Sequence, residues 1–239
     1  MDAASLGQAR FAMMFWSTIT LAAYLIALSL YRRSGHHLLC LPVLTGTALV
    51  LAAMALAGTG YPLYVEATRL LRWLTGPAII ALAVPLFRQA ALLQRLAAPL
   101  FVSLAAGCTV SVLGTLLLCH LFGTPMSFAL SLAPKAATMP MAMLAAERAG
   151  GMPAVAAMAV VATGVLGCLL AGPLLHWLRI GEGEECDIVR GFTLGLVAHA
   201  IGVARVLQTS PGSVAFAALA MGLNGVATVL VLVLLSRWL

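Results

Sequence analysis

The sequence predicts an all-α fold, that of a polytopic integral membrane protein with about seven or eight helical segments, some of them discontinuous. Of the 239 residues, 63% are hydrophobic and only 8% are charged, whereas a soluble domain carries about 25% charged residues. No water-soluble fold hides this much apolar surface, and disorder requires low hydrophobicity. No ten-residue stretches alternate in hydrophobicity as barrel strands do, so the spans are expected to be helices.

Five apolar stretches have the length of roughly 20 residues that a membrane-spanning helix needs. They are Phe11–Leu30, Leu38–Ala57, Leu96–Phe122, Pro153–Leu178 and Ser213–Leu235. The first is too long for the core of a signal peptide and is not followed by an A-x-A cleavage site, so we interpret it as a retained span. The whole chain is interpreted as one transmembrane domain, with a short polar link at Arg88–Arg95 and an acidic loop at Arg179–Arg190.

Three further apolar segments are interrupted by prolines or polar residues. They are Gly76–Phe87, Pro125–Ala149 and Gly191–Leu207, with interruptions predicted at Gly76-Pro77-Ala78, at Pro134–Pro140 and at Ala198–Gly202. A proline removes a backbone donor, and a broken helix survives at membrane depth only inside protein or against a wet cavity. Half-helix N-termini there offer free N–H groups to an anion, as in secondary transporters. We therefore expect the three breaks to converge around a substrate site.

Two ionisable side chains fall within these interrupted segments. Lys135, the single lysine of the chain, lies between two prolines. Because a charge inside the membrane is costly, Lys135 is interpreted as the residue that binds a substrate carboxylate. Alternatively, it extends to the membrane surface or pairs with Glu147. His199 is either a proton-coupling group, since imidazole titrates near neutral pH, or one side of a helix–helix hydrogen bond.

Three polar or small-residue features near the C-terminus have a structural and a functional interpretation. Arg205 either completes an anion site or marks the membrane surface, and Asn224 is interpreted as a hydrogen-bonding contact between helices. Gly191 and Gly195 form a G-x-x-x-G spacing that favours close helix packing over dimerisation.

Several function classes lack their residue patterns. Basic residues occur singly or in pairs at segment ends, which argues against nucleic-acid binding. No Walker loop, nucleophile elbow or metal-ligand cluster occurs, and the five cysteines show no C-x-x-C spacing. We therefore expect neither an enzyme nor a cofactor.

At the three interruptions the sequence resembles the LrgB/CidB family of bacterial membrane proteins. That family shows the motifs GPATVALAxPL, PKSVTTPIA and SHAIGTARA, and here the corresponding stretches read GPAIIALAVPL from Gly76, PKAATMPMA from Pro134 and AHAIGVARV from Ala198. Further matches follow in order, including Leu223-Asn224-Gly225. The resemblance covers nearly the whole chain from about Leu38.

The resemblance implies a multi-pass protein of the bacterial inner membrane that modulates murein hydrolase activity and autolysis in a holin/antiholin-like scheme. It implies a small LrgA/CidA-type membrane protein as partner and a possible homo-oligomer. Relatives include the plastid glycolate/glycerate translocator and bacterial pyruvate carriers. Combined with the broken helices, it suggests a set of substrate-binding residues: Pro77, Ala78, Pro134, Lys135, Thr138, Pro140, His199, Gly202, Arg205 and Asn224.

The departures from the family motifs remove five hydroxyl groups. The positions concerned are Ile79, Ala136, Met139, Ala198 and Val203. Each lost hydrogen bond weakens binding of a polar ligand by roughly 0.5–1.5 kcal/mol, so the substitutions favour a less polar monocarboxylate or a regulatory role.

Two hypotheses about function follow. In the first, the protein is a secondary carrier of small monocarboxylates of the pyruvate, lactate or glycolate type, with effects on autolysis downstream. In the second, it is a non-transporting holin/antiholin-like regulator of murein hydrolase export.

Overall fold

The computed structural model describes residues 3–181 and 183–235, and it confirms the predicted helical membrane fold. It is 85% helical, and the described residues contain no strand. Six helices are long and apolar enough to cross a membrane: Arg10–Arg33, Arg69–Arg88, Ala97–Leu121, Pro153–Trp177, Glu184–Thr209 and Pro211–Leu235. A seventh span results if a bent helix pair, Pro42–Leu56 with Tyr61–Ala67, is counted as one. The protein is therefore a multi-pass membrane protein.

The chain divides into two compact units, Met1–Ala81 and Leu82–Leu239. The helices of the first unit are α1 (Ala3–Arg33), a 3-10 turn (Leu38–Cys40), α2 (Pro42–Leu56), α3 (Tyr61–Ala67) and α4 (Arg69–Ala81). Trp16 and Ala23 of α1 pack against Val50 and Met54 of α2. Helices α2 and α3 meet at an angle of 116°, so the second apolar stretch ends in a sharp bend.

The break predicted at Gly76-Pro77-Ala78 was wrong, because α4 continues through these residues with Pro77 inside it. Proline has a helical φ and removes a single hydrogen bond of the preceding turn, and membrane helices absorb that loss by local adjustment. Together with the residues before it, this segment forms a candidate span, Arg69–Arg88.

The second unit contains the remaining helices. They are α5 (Ala83–Arg88), α6 (Ala90–Arg95), α7 (Ala97–Leu121), α8 (Met126–Leu132), α9 (Met139–Arg148), α10 (Pro153–Trp177), α11 (Glu184–Thr209), a 3-10 turn (Pro211–Ser213) and α12 (Val214–Leu235). Helix α11 packs between α10 and α12, and α12 also contacts α7 and α9. The predicted polar link at 88–95 therefore contains a short helix, α6.

Glycines allow α11 to approach closely both α12 and the 3-10 turn that precedes it. A Cβ atom at Gly191 would lie 2.8 Å from the carbonyl oxygen of Ser213, and one at Gly195 would overlap the backbone of Ala217. The G-x-x-x-G spacing thus serves packing within the chain, as predicted.

The acidic residues predicted to lie in a loop belong instead to the first turn of α11. Glu184, Glu185 and Asp187 occupy that turn, and a helix N-terminus favours negative charge because its free N–H groups carry partial positive charge. Glu182 lies outside the described residues.

Candidate functional site

The predicted break at Pro134–Pro140 is confirmed as the connection between α8 and α9. The backbone turns there through hydrogen bonds from the N–H of Lys135 to the Leu132 carbonyl (3.1 Å) and from the N–H of Ala137 to the Pro134 carbonyl (2.9 Å). Thr138 precedes α9 with extended backbone and makes no side-chain cap. Pro140, near the helix start, has no N–H to donate and costs no helical hydrogen bond there. The other N–H groups of the first turn have no acceptor within the helix.

The predicted break at Ala198–Gly202 is confirmed at His199, whose backbone (φ 41°, ψ −129°) is not helical. A Cβ atom at Gly202 would overlap the carbonyl of Leu194. Residues eight apart in a straight helix are separated by about 12 Å along the axis, so α11 turns sharply at this point. A positive φ in a residue other than glycine costs about 1–3 kcal/mol and is typical of functional sites.

The His199 side chain forms a helix–helix hydrogen bond, which was one of its two predicted roles. It is only 4% exposed, and its Nε2 lies 3.0 Å from the carbonyl oxygen of Val160 in α10. Gly164 makes room for the ring, because a Cβ atom there would lie 2.7 Å from the ring carbon Cε1.

Asn224 of α12 joins the two breaks. Its Nδ2 donates to the carbonyl of Ala136 (2.9 Å), in the α8–α9 connection, and to the carbonyl of Leu196 (3.1 Å), just before His199. In a regular helix the Leu196 carbonyl would accept from Ala200, which lies beyond the break. The side chain is 1% exposed, and its Oδ1 has no partner among the described residues.

Lys135 contacts neither Glu147 nor, within 4.0 Å, any other acidic side chain in the described part of the chain. Its half-buried side chain reaches α7 instead, where Nζ donates to the carbonyl of Ser111 (3.3 Å) and to the hydroxyl of Thr115. Both acceptors are neutral, so the ammonium charge is not compensated by a described side chain.

Three predicted site residues take no part in the hydrogen bonds of Asn224, His199 and Lys135 described above. The guanidinium of Arg205 donates to the carbonyl of Cys168 in α10, a helix–helix contact that the sequence did not predict. Pro77 and Ala78 lie on exposed positions of the continuous helix α4 in the first unit. They no longer qualify as the ends of half-helices.

Sequence reasoning missed the contributions of two unbroken helices. Thr115 and Ser111 lie in α7, a predominantly apolar stretch in which no Asp, Glu, Lys or Arg marks a site. Gly164 and Val160 lie in α10 and have no feature in the sequence that distinguishes them from the other residues of that apolar run. The close approach to His199 depends on α10 lacking a side chain at one position, which no single-sequence pattern indicates.

The arrangement is suited to holding a small anion. An ammonium group with neutral partners and the free N–H groups at the start of α9 both attract a carboxylate. Among the described residues, no group of three or more His, Cys, Asp or Glu side chains could hold a metal ion.

Comparison with known proteins agrees with the resemblance found in the motifs. The model of the LrgB-like family matches residues 20–238. The protein YxaC of Bacillus subtilis (strain 168) is 31% identical over 87% of this chain and 88% of its own length. The antiholin-like protein LrgB of Bacillus cereus (strain B4264) is 27% identical over 91% of this chain and 93% of its own. No solved structure matches. With a family model that covers nearly all of its residues, this chain belongs to the LrgB-like family.

Proposed function

We propose that this protein is a secondary carrier of small monocarboxylates in the bacterial inner membrane. The substrate carboxylate binds to Lys135 and to the free N–H groups of the half-helices, and His199 takes or gives the coupling proton. The observation that carries the proposal is the contact of two broken helices at one residue, Asn224. Interrupted helices that meet within the bilayer are the usual setting of a transporter site.

The charge of Lys135 supports an anionic substrate. An intramembrane ammonium costs at least about 2.5 kcal/mol, and neutral acceptors do not balance its charge. A carboxylate does so through charge-assisted hydrogen bonds, which are about twice as strong as neutral ones. A carboxylate substrate that binds and is released therefore accounts for the unbalanced charge of Lys135.

Uptake into proteoliposomes tests the proposal. The purified protein is reconstituted, a pH gradient is imposed, and the entry of labelled pyruvate, lactate and glycolate is measured. We expect saturable uptake of at least one of them. Lys135→Ala should lower uptake by about tenfold or more, the effect of losing a hydrogen bond to a charged group.

Arg148→Ala is the matched control, because it also removes one positive charge from the same region. Arg148 lies in the last turn of α9 and is exposed, so uptake should be unchanged. If the folded wild-type protein takes up none of the three acids at any pH gradient, the carrier function is wrong.

The second candidate function is a non-transporting, antiholin-like regulator of murein hydrolases. It is favoured by the name of the Bacillus cereus relative, an antiholin-like protein. In this role the protein would act with a small LrgA/CidA-type membrane protein or by self-association. Co-expression of the two proteins should then change lysis or dye leakage without substrate saturation, and Lys135→Ala should retain the effect.

A further inference from the structure

The partners of Lys135 on α7 imitate a carboxylate. Thr115 is only 8% exposed, and its Oγ1 donates to the Ser111 carbonyl oxygen at 2.5 Å. This separation is close to that of the two oxygens of a carboxylate group. Both oxygens accept from the same ammonium, so the pair presents two neighbouring acceptors to Lys135.

The pair differs from a carboxylate in charge. The hydroxyl proton of Thr115 is directed to the Ser111 carbonyl, which leaves the lone pairs of Oγ1 for the ammonium. The two neutral oxygens satisfy two of the three N–H groups of the ammonium and do not balance its charge. An ionised acceptor forms the stronger bond, so an entering carboxylate competes with the pair for the ammonium.

We infer that Thr115, with the Ser111 carbonyl, occupies Lys135 in the unloaded protein and is replaced there by the substrate carboxylate. This inference rests on the proposed function and adds Thr115 as a residue that sets substrate affinity. Lys135 belongs to the α8–α9 connection, whereas Thr115 belongs to α7. The exchange thus releases the connection from α7 when substrate binds.

Thr115→Val tests the inference, because valine keeps the shape and the β-branch but has no acceptor. The carboxylate then displaces one acceptor fewer, so the Kd for pyruvate and the KM of uptake should fall by about tenfold. Thr115→Ser keeps the hydroxyl group and should leave both values as in the wild type. The control is Thr109→Val, on an exposed position of the same helix, and it should change neither value.

The outcomes separate this inference from the proposed function. A wild-type protein that neither binds nor transports a monocarboxylate refutes the function itself. A wild-type protein that binds pyruvate, combined with an unchanged or raised Kd in a folded Thr115→Val variant, overturns only the role of Thr115.

A second measurement applies even if the valine variant does not fold. Because Lys135 is the single lysine, a tag-free wild-type protein labelled with [15Nζ]lysine gives one ammonium NMR signal. Saturating pyruvate should move that signal as Thr115 is replaced. A signal that stays in place while pyruvate binds overturns the inference.

Discussion

Replacing Asn224 by leucine should destabilise the second unit, because one side-chain amide closes both helix breaks. Leucine keeps the branch at Cγ, although it is larger than asparagine, and it cannot donate to the carbonyls of Ala136 and Leu196, which lie 2.9 Å and 3.1 Å from Nδ2. The side chain is 1% exposed, so water does not replace the lost donors. The change therefore removes a donor from the buried carbonyl of Ala136 and from the partly buried carbonyl of Leu196.

The magnitude follows from these contacts. Each unpaired carbonyl costs about 1–2 kcal/mol, while removal of the unpartnered Oδ1 returns about 1 kcal/mol. The free energy of unfolding should fall by about 1–3 kcal/mol in total. Reversible unfolding in mixed micelles, followed by circular dichroism or steric trapping, measures this quantity.

Thr228→Val is the matched control on α12. Thr228 is fully buried, and its hydroxyl lies 3.6 Å from the thiol of Cys108, a weak hydrogen-bonding partner, so its loss should cost less than about 0.5 kcal/mol. Equal effects of Asn224→Leu and Thr228→Val, or a stabilised leucine variant, would refute the role of Asn224 in joining the breaks.

Two further predictions concern the contacts of α11 with α10. Gly164→Ala places a methyl group 2.7 Å from the His199 ring and should destabilise the protein by about 1–3 kcal/mol. The control is Gly114→Ala, whose added methyl group meets open space and should be neutral or stabilising by up to about 1 kcal/mol. If the two variants have equal melting temperatures in detergent, the close approach of Gly164 to the His199 ring is contradicted. Arg205→Gln should lower the free energy of unfolding by about 1 kcal/mol, because the bond to the Cys168 carbonyl is lost. Uptake by this variant distinguishes a packing role of Arg205, in which uptake is retained, from substrate binding, in which it falls.

Local patterns in the sequence predicted part of the candidate site. Prolines and polar side chains within apolar runs indicated the interruptions at Pro134–Pro140 and at His199, because backbone irregularity in lipid needs a special reason. The same reasoning failed at Pro77. A proline lowers the stability of a helix by a finite amount, and neighbouring residues decide whether the helix ends or continues.

The partners of the site residues were beyond reach of such patterns. Asn224 bonds carbonyls 88 and 28 residues away along the chain, and Lys135 bonds residues on α7 that precede it by 24 and 20 positions. A sequence does not show which backbone carbonyl accepts such a bond, since every residue has one.

Composition and apolar run length by themselves determined that this protein is a helical, multi-pass membrane protein and where four of the five predicted straight spans lie; the fifth, Leu38–Ala57, contains a 15-residue helix that counts as a span only with the bent helix after it. Those properties follow from transfer of side chains and backbone into lipid, which depends on each segment alone. Only the tertiary structure decided that two breaks meet at Asn224 and that Lys135 is held by α7. A hydrogen bond requires atoms from distant segments within about 3 Å of each other, and glycines such as Gly164 and Gly195 set how closely the helices approach.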